Sequence, residues 1–284
     1  MRSLKDAVYG VAVGDAMGLP VQFEARDSYN ITDMIGYGTF GLPEGSWSDD
    51  TSLTIATCDS IRKCGGVDLT DIRSCFENWY YRGKYTPYGR AYDIGGTCAG
   101  AISNKKGMDD EWSNGNGSLM RIIPLAFLSD LTDNEIADFS AITHAHPRTL
   151  YGCIAYIRIA KGLLQGRELK DCILEYVSEE SAYARCRHIE ELNREDILST
   201  GYVVDTFEAA MWCLLTTYSY KECILKAVNL GDDTDTIGAV AGGLAGIMYG
   251  FDEIPTEWVE GLKAKEVIEK CLFNVYCPKA DYSR

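Results

Sequence analysis

Two short segments concentrate oxygen donors. Trp47-Ser48-Asp49-Asp50-Thr51-Ser52 precedes an apolar run from Leu53, and Gly231-Asp232-Asp233-Thr234-Asp235-Thr236 precedes a glycine-rich one. One hydroxyl or carboxylate is enough to cap a helix N-terminus and to favour the positive end of its dipole. Here Asp49 and Asp50 are adjacent, and Asp232, Asp233 and Asp235 fall within four positions. Charges so close repel unless a cation or a proton compensates them. Carboxylate and hydroxyl oxygens together suit a hard cation, Mg2+, Mn2+ or Ca2+. The residues alone leave two readings open, a metal site and a pair of elaborate helix caps. Neither segment has the spacing of an EF-hand loop.

Four further segments carry chemical groups. Gly14-Asp15-Ala16-Met17-Gly18 is followed by Phe23-Glu24, and Asp93 opens Asp93-Ile94-Gly95-Gly96-Thr97. A lone Asp such as Asp15 or Asp93 is more often a cap or turn residue than a catalyst. Ser113-Asn114-Gly115-Asn116-Gly117-Ser118 leads into Leu119-Met120-Arg121 and a run read as an apolar helix. Glycine-rich backbone at a helix N-terminus presents free N–H groups and suits a phosphate. No Gly-Lys-Ser/Thr follows, so this is not a Walker A loop. Thr143-His144-Ala145-His146-Pro147 can bind a ligand or simply order a turn.

The elements that must position these groups read as helices. Apolar residues recur at helical spacing in Leu4, Val8 and Val11, and in Leu53, Ala56 and Ile61. The same holds over 122–128, 153–164, 207–215 and 237–249. Strand-like alternation is scarce, so the expected fold is all-α, a compact orthogonal helical bundle. Gly238, Gly242 and Gly246 recur at i, i+4 and i+8. Each glycine costs a helix about 1 kcal/mol against Ala; close approach of another helix is the favoured reason, ahead of direct ligand contact. The polar stretch 178–199 reads as a solvated helix with a loop, or as a linker. With no Pro/Gly/Ser tract and no repeat, residues 1–284 are expected to form a single domain.

Composition narrows the class. The 284 residues carry 27 Lys+Arg against 42 Asp+Glu, a formal charge of −15, with 46% hydrophobic residues. That is a globular composition, and the charge argues against loose binding of bulk nucleic acid or an anionic membrane surface. No run of ~18 uncharged apolar residues predicts a membrane span. The eleven cysteines form no CxxC pair, and Met1 leads directly into Arg2, Lys5 and Asp6. Reduced, buried thiols in a cytoplasmic protein are expected rather than a disulfide framework. Three His without Cys/His ligand spacing argue against zinc.

Taken together and in order, GDAMG, WSDDTS, DIGGT, GNGSLMR, HAHP, GYVVDT and GDDTDTIGAVAGGLAGI resemble the ADP-ribosylglycohydrolase family, the DraG-like or ARH-type hydrolases. The matching pieces extend over about residues 8–250. The resemblance implies an all-α fold with two Mg2+ or Mn2+ ions in a central cleft, a monomer, and cleavage of a glycosidic bond to ADP-ribose. It implies that Ser48, Asp49 and Asp50 bind one metal, where the family often has Thr in place of Ser48. Asp233 and Thr236 would bind the second, with Asp235 bridging both. Glu24 and Asp93 would be the catalytic acid or base; near Asp93, the DraG branch often has Asn where Gly96 stands. Ser113, Gly115, Asn116, Gly117 and Ser118 would hold diphosphate and ribose, with His144 on the ribose and Tyr202 lining the cleft. Asn114 stands where some relatives place an adenine-stacking aromatic.

Five carboxylates (Glu24, Asp49, Asp50, Asp233, Asp235) carry −5, and two divalent ions would return +4. Such ions would polarise water and ribose hydroxyls, and nearby acids would stabilise an oxocarbenium-like sugar. The expected substrate is an ADP-ribosylated protein side chain, arginine or serine. Two alternatives are a hydrolase of ADP-ribosylated nucleic acid or small molecules, and a non-catalytic ADP-ribose binder. Retention of every acid in both motifs favours catalysis over binding. A phosphoesterase would share the acids but does not predict the ordered GNGSLMR and HAHP segments.

Overall fold

The computed structural model describes residues 2–274. Among these residues twelve α-helices run in the order α1 (Leu4–Gly18), α2 (Asp49–Cys64), α3 (Leu69–Arg82), α4 (Gly96–Asn104), α5 (Asp133–Ser140), α6 (Pro147–Leu164), α7 (Leu169–Tyr176), α8 (Val203–Leu215), α9 (Tyr220–Val228), α10 (Thr234–Tyr249), α11 (Thr256–Gly261) and α12 (Lys265–Cys271). Among the described residues, extended pairing is limited to two isolated bridges, Met108 with His144 and Gly115 with Tyr202. The all-α reading holds, and no described helix is long and apolar enough to cross a membrane.

At the centre, α1 lies along α10, the most extensive helix pair among the described residues. Their contact is nearly backbone to backbone. A Cβ on Gly14 would fall 2.0 Å from the Gly238 carbonyl oxygen, one on Gly10 2.1 Å from that of Gly242, and one on Gly246 2.1 Å from that of Asp6. This is why glycine recurs every fourth residue on both helices. The helix penalty of each is offset by a packing distance no other residue permits. Both helices are buried almost end to end. The glycines of α10 therefore serve helix packing.

Three local expectations are corrected. The run 122–128 is not an α-helix but a short 3-10 segment, Ile123–Phe127. Pro124 lacks the N–H that an α-helical turn needs there. Consequently the loop 113–118 leads into a single turn, where Met120 N–H donates to the Asn116 carbonyl at 3.1 Å, and not into an α-helix. The polar stretch 178–199 is neither a regular helix nor a linker. It forms two 3-10 segments, Ala184–Glu191 and Arg194–Asp196, packed through buried Cys186 and Ile189.

All described cysteines are free, and all but Cys64 are buried, while Cys277 lies outside the described residues. Most cysteines therefore act as small apolar core residues.

Candidate metal centre and substrate cleft

Four helices begin at one depression: α2 capped by Ser48, α10 by Asp233, α4 by Gly95 and α8 by Tyr202. The depression encloses about 280 Å3 and is lined by both acid motifs, by Gly95 and Gly96, and by Gly115, Asn116, Gly117 and His144. Four positive helix-dipole ends thus meet at one small space, an arrangement that favours anions.

The floor is acidic. Asp15 of α1, Asp50 of α2 and Asp235 of α10 are buried, and one carboxylate oxygen from each lies within 4.8 Å of the others. Their roles differ. Asp15 accepts hydrogen bonds from Ser48 N (2.9 Å), Thr51 N (3.0 Å) and Thr51 Oγ1 (2.6 Å), so it caps α2 from a neighbouring helix. Asp50 Oδ2 accepts from Ser48 Oγ at 3.1 Å, whereas Asp50 Oδ1 and Asp235 Oδ2 are buried with no hydrogen-bond partner. Two orphaned carboxylate oxygens in one buried cluster fit a hard cation, because an unpaired buried acceptor is otherwise expensive. Burial, then mutual repulsion, pushes the carboxyls of Asp49, Asp50 and Asp235 well above the ordinary range. Asp15, Asp93 and Asp233 are raised as well, again chiefly by burial.

The second acid segment is held by amides. Asn116 Nδ2 donates to Asp233 Oδ2 at 2.6 Å and to Thr206 Oγ1 at 2.8 Å. Gln22 Nε2 reaches Asp93 Oδ1 at 3.4 Å and Asp233 Oδ1 at 3.5 Å. Asp49, Asp93, Asp233 and Thr236 all line the cleft. Three of its lining residues, Phe23, Asp93 and Asp232, have positive φ (68°, 54° and 65°). Non-glycine residues held there store strain and tend to cluster at functional sites. Reciprocal backbone bonds fix one pair: Phe23 N–H to Asp232 O (2.7 Å) and Asp232 N–H to Glu24 O (2.9 Å).

Not every predicted residue enters the cleft. Glu24 is exposed in the turn beside it, outside the acidic floor. Ser113 Oγ donates to Asp110 Oδ2 at 2.7 Å, and Ser118 is buried behind the loop against Ser140 (2.8 Å). Tyr202 is half-buried and contributes its backbone bridge to Gly115 rather than a cleft wall. His144 and His146 divide the two readings of their motif: His144 lines the cleft, and His146 caps α6 by accepting from Arg148 N at 3.2 Å. The sequence reading passed over Asp15 as a lone cap and missed Gln22. Only the GDAMG motif signalled the former, and nothing local signalled the latter.

A family model described as ADP-ribosylglycohydrolase matches residues 2–279. The chain is 32% identical to the ADP-ribosylarginine hydrolase Tri1 of Serratia proteamaculans, covering 98% of this chain and 80% of that protein. It is 34% identical to the ADP-ribosyl-[dinitrogen reductase] glycohydrolase of Rhodospirillum rubrum, covering 91% and 90%, and 25% identical to human ADP-ribosylhydrolase ARH3, covering 94% and 92%. A solved structure titled ADP-ribosylglycohydrolase-related protein complex superposes with a TM-score of 0.78 at 27% identity, over 94% of both chains.

Proposed function

The chain belongs to the ADP-ribosylglycohydrolase family, and from that premise we propose that it hydrolyses the glycosidic bond between ADP-ribose and an arginine side chain, in one domain spanning residues 1–284. The observation that carries the reading is a cluster of buried acids with orphaned oxygens next to a cleft lined by Asp49, Asp93, Asp233 and a glycine-rich wall. The floor suits divalent cations and the wall suits a diphosphate. Arginine is favoured as acceptor because relatives at 32–34% identity include one named for ADP-ribosylarginine. The acids Asp93 and Asp232 at the cleft also suit a guanidinium.

Two divalent ions, Mg2+ or Mn2+, would be held by Ser48, Asp49 and Asp50 on one side and by Asp233 and Thr236 on the other, with Asp235 between. When bound they would polarise water and the vicinal hydroxyls of the distal ribose. The chain's own groups do the rest. Gly115, Asn116 and Gly117 orient diphosphate and ribose, with Ser113, Ser118 and Tyr202 shaping that wall from behind, and His144 contacts the sugar. Asp15 holds the start of α2 in place, and Asn116 and Gln22 aim Asp233 and Asp93. As the bond from the ribose anomeric carbon to the guanidine nitrogen breaks, water adds to that carbon. Asp93 transfers the proton between water and the leaving guanidine, with Glu24 as the second proton-transfer group at the rim.

The test is a hydrolysis panel of ADP-ribosylarginine, ADP-ribosylserine and ADP-ribosylated nucleic acid with Mg2+, Mn2+ or EDTA. Metal-dependent release of ADP-ribose from the arginine conjugate is expected. Release that survives EDTA rejects the metal mechanism, and release only from another conjugate rejects the acceptor.

A further inference from the structure

Arg121 ends the GNGSLMR segment, and the function above leaves it without a task. Its side chain is fully buried, and no carboxylate pairs with it among the described residues. A buried cation without a counterion is costly and is seldom kept as filler. Its guanidinium stacks on Phe76 at 4.6 Å, and its donors point at the substrate wall: Nη1 to the Gly117 carbonyl at 2.7 Å and Nη2 to Thr143 Oγ1 at 2.6 Å. Thr143 Oγ1 in turn lies 2.8 Å from His144 Nδ1.

We propose that Arg121 is a positioning residue that acts through the Thr143 hydroxyl to fix the tautomer of His144, with the ring proton on Nε2 facing the cleft. The direction rests on how the hydroxyl spends its one proton. A guanidinium has donors only, so Thr143 Oγ1 must accept from it. The proton is then assigned to His144 Nδ1 at 2.8 Å, a stronger acceptor than the Cys98 thiol that also faces Oγ1. On that assignment Nδ1 is the acceptor, and in an uncharged ring the proton resides on Nε2. Burial, followed by the charge of Arg121, pushes the imidazole down to about 3, so the ring stays uncharged.

The Nε2 edge is kept open by glycine. A Cβ on Gly117 would fall 2.8 Å from His144 Cε1 and 3.2 Å from Nε2. One residue thereby sets both the loop, through the Gly117 carbonyl, and the ring beside it. On the function proposed above, the acceptor for Nε2–H is a ribose hydroxyl or phosphate oxygen of the bound ligand, and this clause rests on that reading.

The test is long-range 1H–15N NMR of the imidazoles, which is tractable because the chain has three His. Wild type should show the Nε2–H tautomer for His144 near neutral pH. Thr143→Val keeps the shape but removes the hydroxyl. It should lose that signature and weaken ADP-ribose binding by about tenfold, the scale of one hydrogen bond. Thr143→Ser should restore both. A wild-type Nδ1–H tautomer, or a Thr143→Val protein with unchanged tautomer and affinity, overturns the relay. Arg121→Lys gives a second arm if it folds; Thr143→Val decides the matter if it does not. Wild type that shows the Nε2–H tautomer yet binds no ADP-ribose supports the relay and rejects the proposed function instead.

Discussion

The two ends of α2 handle buried acids in opposite ways. Near its C-terminal end, Asp59 is surrounded by cations: Arg62 at 2.6 Å, Lys63 at 2.6 Å and Lys84 at 3.4 Å, with Tyr85 OH donating at 2.6 Å. Burial works against its charge, but bonds from Lys63, Tyr85 and Arg62 hold the carboxyl well below the usual range. At the N-terminal end, Asp49 and Asp50 meet Asp15, Asp93, Asp233 and Asp235, and burial drives the acids the other way. An acid kept for structure comes with its own counterions. An acid cluster kept without them suits a cation from outside.

The contrast can be broken most forcefully at Asp235. Asp235→Ala should reduce ADP-ribose release by about a thousandfold or more, since metal catalysis is worth several kcal/mol and 1.36 kcal/mol is tenfold. Its melting temperature in EDTA should equal or exceed that of wild type, because a repelling carboxylate is gone. A large drop would show that the cluster is structural after all. Next in size is the metal itself. Mg2+ at a hundred times its Kd should stabilise wild type by about 2.7 kcal/mol. Asp59→Asn should keep this shift and Asp50→Asn should lose it, measured by melting with Mg2+ and with EDTA.

Asp59→Asn should destabilise the fold by about 1–2 kcal/mol, a modest figure because its partners are two-fifths to half exposed. Its kcat/KM should not change. A depressed carboxyl contributes stability above its unfolded range and loses it as pH falls below, so the gap between wild type and Asp59→Asn should close in acid. The smallest effect concerns an intermediate case. Glu208 has one counterion, Arg185 at 3.5 Å, and one orphaned oxygen, and burial raises it to about 7. A raised carboxyl favours the fold below its unfolded value and loses that contribution as pH rises through about 7. Glu208→Gln should therefore gain about 1 kcal/mol at pH 8 and nothing at pH 4, read from melts at both.

What could be read in advance depended on how local the physics was. The runs that became α1, α2, α6, α8 and α10 are legible because core burial imposes helical spacing on apolar residues. The two acid segments stand out because repulsion among neighbours in sequence is visible without a fold. Asp15 was read as a cap, and it is one, but of a helix that begins more than thirty residues later. Gln22 between Asp93 and Asp233, and Arg121 beneath His144, depend on contacts across the fold that no window of sequence displays. The run 122–128 misled because its apolar residues fit a helix while Pro124 limits it to 3-10 turns. Glu24, expected at the acids, stands exposed beside them.

The glycine seam between α1 and α10 also has a biosynthetic consequence. It brings Asp15 together with Asp235, residues that leave the ribosome 220 positions apart. Until α10 has been made, α1 has no backbone to lie against and its exposed glycines make it a poor helix on its own. A nascent chain therefore carries Asp15 apart from its acid neighbour until α10 has been made. Docking of α10 along α1 then closes the glycine seam and brings the two acids together.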